Sequence, residues 1–83
     1  MSEKMPILLA DGFEKAFIGL GRQGPHRLAV YDYNKCVRIL MKREDWSEED
    51  ALEWMEFNVV GAWVGEQTPI FVETNVTIDE LDE

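Results

Sequence analysis

Few residues in this chain of 83 are equipped for chemistry, and their spacing decides most of what they can do. Nucleophilic catalysis needs a thiol or hydroxyl activated by a neighbouring base. The single cysteine, Cys36, and the single histidine, His26, stand ten residues apart with an expected strand between them, and nothing in the sequence requires them to meet. Cys36 falls on the apolar stripe of an amphipathic helix, where a buried thiol has a raised pKa and is inert. His26, between Pro25 and Arg27, reads as a solvated loop side chain. One His and one Cys form no zinc pattern. The carboxylates include no Asp-x-Asp-x-Asp-Gly loop of the kind that binds calcium. Gly19-Leu20-Gly21-Arg22-Gln23-Gly24 has the spacing of a phosphate-cradling glycine loop, but Pro25 and a strand follow it. Such a loop needs a helix N-terminus at that place, so a hairpin turn is the better reading. No catalytic residue, metal ligand or cofactor is expected, and the chain reads as a non-enzyme.

Two features point to binding instead. Glu44, Asp45, Glu48, Glu49, Asp50, Glu53 and Glu56 crowd one short stretch, and no Lys or Arg occurs between Glu44 and Glu83. In part these charges suit the first turn of a helix and a solvated face. Left exposed and unpaired, Asp45, Glu48, Glu49, Glu53 and Glu56 would also form a docking surface for a basic patch, or imitate a row of nucleic-acid phosphates. Trp63, between Val60 and Val64, is either a core residue or an anchor for a partner or a second copy.

The elements that position these residues follow from periodicity. Ile7–Ala10 is a short apolar run stopped by Asp11-Gly12. Phe13, Ala16, Phe17 and Leu20 fit helical spacing, yet Gly19 and Gly21 argue against a helix, so a strand is expected near residues 16–20. A loop at Gln23–His26 leads to a second strand at residues 28–31, with a hairpin as the connection. Tyr33, Cys36, Val37, Leu40 and Met41 then mark one face of a helix. Asp32 or Asn34 can cap its start, and Lys42 and Arg43 suit its last turn.

Ser47 caps a second helix, with Asp50 placed to reach back as in a capping box and Trp46 placed to pack on Ala51. Ala51, Leu52, Met55, Val59 and Ala62 form its apolar stripe, Glu49, Glu53 and Glu56 the opposite face, and its end is expected between Gly61 and Gly65. The three-residue link Glu44–Trp46 makes the helices an antiparallel pair. Residues 68–73 read as a last strand with Pro69 at its start. The order β-β-α-α-β implies an α+β fold: a small antiparallel, or mixed, sheet of about three strands packed on a helical hairpin. Residues 1–73 are expected to form one domain, after a polar start at 1–5, with 74–83 an acidic, frayed tail.

Composition sets the outer limits. The hydrophobic share of 46% is that of a globular protein, and one core is all this length allows. A net charge of −9, from 17 acidic residues against eight Lys plus Arg, opposes direct binding to nucleic acid or an anionic membrane. A lone cysteine, no apolar run of membrane-spanning length and no signal-like start together suggest the cytoplasm.

Asp11-Gly12-Phe13-Glu14, Ala29-Val30-Tyr31-Asp32-Tyr33 and Glu56-Phe57-Asn58-Val59-Val60-Gly61-Ala62-Trp63-Val64-Gly65 give the chain a resemblance to a family of short uncharacterised proteins encoded by bacteriophages, over roughly residues 10–72. The resemblance implies a setting, the cytoplasm of an infected bacterium, and assigns no site residue. The expectation is a small acidic protein-binding module that modulates a host protein through the acidic helix face. The alternatives are a homodimer built on exposed aromatics and a phosphate-mimicking inhibitor of a nucleic-acid-binding protein.

Overall fold

The computed structural model describes residues 7–81; the polar start at 1–5 and the last two residues of the tail lie outside the described residues. Strands β1 (Phe17–Gln23) and β2 (His26–Asp32) lead into helices α1 (Tyr33–Glu44) and α2 (Glu48–Met55), and the chain returns through β3 (Ile70–Val72). The expected order and the α+β class are therefore present.

The sheet has the order β1-β2-β3 and is mixed, antiparallel between β1 and β2 and parallel between β2 and β3. Parallel neighbours cannot be joined by a tight turn. The helical pair supplies the crossover, which places both helices against the sheet.

Each boundary has a local cause. Gly24 adopts φ +58° and Pro25 holds φ near −65°, the signs a two-residue II′ hairpin turn requires. The strand expected at 16–20 lies one residue later and runs to Gln23. Ala16 instead ends a short 3-10 turn, Glu14–Ala16, that buries Phe13 and Ala16. The helical spacing of Phe13, Ala16, Phe17 and Leu20 is not realised beyond this turn, because Phe17 and Leu20 belong to β1. The Asp32 carboxylate accepts from Lys35 N at 3.0 Å and caps α1, and Asp45 at φ +60° closes it. Ser47 Oγ accepts from Asp50 N at 3.2 Å, as an N-cap should.

The second helical segment runs to its cap at Gly61, at the near edge of the expected window, but only its first part is regular α-helix. Regular α-helix stops at Met55 and a π turn covers Glu56–Val60, with Gly61 N donating to Glu56 O. Asn58 Nδ2 donates to the Trp54 carbonyl at 3.2 Å, drawing that backbone group to a side chain. Ala51 and Met55 are fully buried, but the stripe fades after them and Ala62 is exposed. The last strand is three residues rather than six. Thr68 is occupied in a turn with Val64 and Gly65, and Pro69 has no N–H to donate.

Phe13, Ala29, Tyr31, Cys36, Val37, Leu40, Ala51 and Met55 form the core between the helices and one sheet face. Tyr31 stands at its centre, edge-on to Phe17 and stacked on Phe71, each at 5.5 Å. Its hydroxyl accepts from Ala10 N at 2.8 Å, which ties the N-terminal segment to the core. Among the described residues no helix is long and apolar enough to cross a membrane.

Candidate functional site

The acidic stretch becomes three different things once folded. Glu44 is engaged by Arg43, Nε to Oε2 at 3.1 Å, and Asp45 serves as the left-handed cap of α1. Glu56 is exposed, as expected of the free face, and also accepts from the Tyr33 hydroxyl at 2.9 Å. That bond joins the start of α1 to the end of α2, so Glu56 fastens the helical pair. Burial, then the neighbouring Glu56, push the Tyr33 phenol up to about 12.

The remaining four, Glu48, Glu49, Asp50 and Glu53, are exposed on α2, and none makes an ion pair among the described residues. Ser47 starts the helix there, and three carboxylates in its first turn meet the positive end of the helix dipole. That interaction accounts for their placement near the N-terminus but leaves their outer oxygens in water.

The carboxylates border aromatic surface. Trp46 packs against the core cluster that includes Ala51, and the Trp46 and Trp54 rings lie 6.1 Å apart. Together with Asp50, Glu53, Phe57 and Asn58 they line a cleft of about 290 Å³. Phe57 is 76% exposed. It was legible in principle: Phe57 lies off the stripe of Ala51, Leu52, Met55 and Val59, so helical spacing already turned it outward. On the other side of Trp54 opens a larger apolar groove of about 520 Å³, lined among others by Leu9, Phe13, Val59, Pro69 and Phe71. Trp54 therefore forms part of the wall of both.

Trp63 is displayed rather than buried, at 74% exposure. It lies apart from the α2 cleft, beside His26, Leu28, Glu66 and Pro69 in a separate depression of about 440 Å³. His26 opens β2 rather than lying in a loop, and its Nε2 is 2.9 Å from Glu66 Oε1. Cys36 is fully buried in the core, and desolvation pushes its thiol up to about 12. Such a thiol holds its proton and is a poor nucleophile. Among the described residues no three His, Cys, Asp or Glu side chains are grouped to hold a metal ion. The Gly19–Gly24 fragment lies in β1 and its hairpin turn, away from any helix start.

Charge is strongly segregated along the chain. All eight cations precede Glu44, against four carboxylates, whereas thirteen carboxylates and no cation follow from Glu44 on. Compared with protein-family models, curated proteins and solved structures, the chain matches none of them.

Proposed function

We propose that this chain is a non-enzymatic protein-binding module that docks a basic protein surface on α2. The observation that carries the reading is the row Glu48, Glu49, Asp50 and Glu53, exposed and without ion pairs among the described residues, beside the cleft of Trp46, Trp54 and Phe57. A protonated Lys or Arg side chain entering that cleft meets two carboxylates and the faces of aromatic rings, and cations are attracted to both. Aromatic residues are also the side chains that anchor interfaces. The counterpart is accordingly a basic segment carrying a large apolar side chain, the cation held by Asp50 and Glu53 and the apolar group by Phe57 or the groove behind Trp54.

This favours a protein partner over phosphate mimicry as such, because phosphates offer no counterpart to an exposed phenyl ring. The resemblance to bacteriophage proteins makes a host protein in a bacterial cytoplasm the natural partner. Affinity capture with the full chain, compared with Glu49→Lys/Glu53→Lys and Phe57→Ala, tests the proposal. A basic protein retained by the parent and lost from both variants supports it. The same captured proteins on all three would remove α2 from the interface.

A further inference from the structure

We infer that the free edge of β1 pairs with β1 of a second copy of this chain, forming a symmetric dimer by antiparallel strand addition. Every second residue of an edge strand turns its N–H and C=O away from its sheet, which makes it a template for another strand. Among the described residues the sheet order leaves β1 and β3 at the edges, and only one is guarded. β3 is three residues long, with Pro69 before it and Glu73 after it, and short strands, prolines and charges are the usual protection. β1 has seven residues, no proline, no lysine and no carboxylate. Its bulge at Ile18 lies near one end and leaves Gly19–Gln23 in regular register.

The side chains fit the same occupant. Phe17, Ile18 and Leu20 are 44%, 54% and 42% exposed on this strand, and Leu9 extends the apolar surface beside Phe17. Arg22 is the one charged residue of β1. A two-fold axis at Leu20 sets Arg22 opposite the partner's Ile18 and Leu20 opposite its own copy, so the two cations never face one another. β1 also belongs to the part of the chain with more cations than carboxylates, while thirteen carboxylates and no cation follow from Glu44 on. β1 itself carries no carboxylate, so the two paired strands bring none face to face. One strand pair with a few apolar side chains is a small interface, so the dimer forms reversibly with concentration.

Light scattering of the full chain over low to high micromolar concentration tests this, with Ile18→Lys and Leu20→Lys beside it. The expected mass rises from one chain of 9.6 kDa to two and stops there. Each lysine should weaken association about tenfold or more while the circular dichroism stays unchanged. A single-chain mass throughout, growth beyond two copies, or a dimer indifferent to both lysines would overturn the inference. Should the variants lose their fold, amide exchange in the unaltered chain decides. Protection of β1 amides rises with concentration if β1 is the contact, and stays constant if it is not. Reversing Glu49 and Glu53 leaves this dimer intact, which separates its failure from that of the α2 docking surface.

Discussion

Tyr33 and Cys36 occupy one face of α1, and the fold holds both in their neutral forms. The phenol stands at about 12 against an ordinary 10.0, from burial and from the hydrogen bond to Glu56. The thiol stands at about 12 against 9.0, from burial and from Asp32. In each case the folded state keeps a proton that the unfolded chain gives up sooner. Their contribution to stability is thus intact below about pH 9 and is lost as pH rises from about 9 through about 12. Chemical denaturation repeated across that range should show the midpoint falling, and Cys36→Ala should flatten its first part. A midpoint constant from pH 8 to 11 would contradict the burial of these two groups. Tyr33→Phe removes the donor to Glu56 and should cost about 1 kcal/mol, because Glu56 is exposed and water can replace the lost partner.

Among the elements, the second helix depends on its two ends. Ser47→Ala removes the acceptor for Asp50 N and should destabilise the protein by about 1 kcal/mol in denaturant titration. Gly61→Ala should cost more, roughly 1–3 kcal/mol, because a Cβ there would lie 2.7 Å from the Glu56 carbonyl oxygen, a backbone atom that cannot swing aside. These ends also show what the sequence makes legible. Ser47 followed by three acidic residues announces a helix start, and the spacing of Tyr33, Cys36, Val37 and Leu40 announces a buried face, because both signals are local. The π turn was not legible: the apolar spacing is the same for an α turn, and the bond that holds Glu56 comes from Tyr33, 23 residues away. The parallel placement of β3 was equally hidden, since nothing in Ile70-Phe71-Val72 specifies the direction of its neighbour. At the site, the acidic row could be read from composition. The loss of Glu44 and Glu56 from it could not, as their partners are set by tertiary packing. Val60 and Val64 around Trp63 suit a core or a displayed side chain equally, and the fold displays it.

Across the whole molecule, charge segregation dominates. The carboxylates from Glu44 on have no Lys or Arg of their own segment to pair with, and the only Lys or Arg ion pair among the described residues is Arg43 with Glu44. A net charge of −9 strengthens attraction to basic partners at low ionic strength, and salt screens that attraction, with the largest effect on association rate. Neutralising Glu48 or Glu49 singly should therefore slow association mildly, whereas Glu53, beside Phe57 in the cleft, should affect dissociation as well. The most direct test of the docking surface is the dissociation constant of a captured basic partner for the parent chain and for Glu49→Lys/Glu53→Lys, measured side by side at two salt concentrations. Docking on α2 predicts binding at least about tenfold weaker for the variant, with the gap narrowing at high salt. Equal constants at both salt concentrations would contradict it.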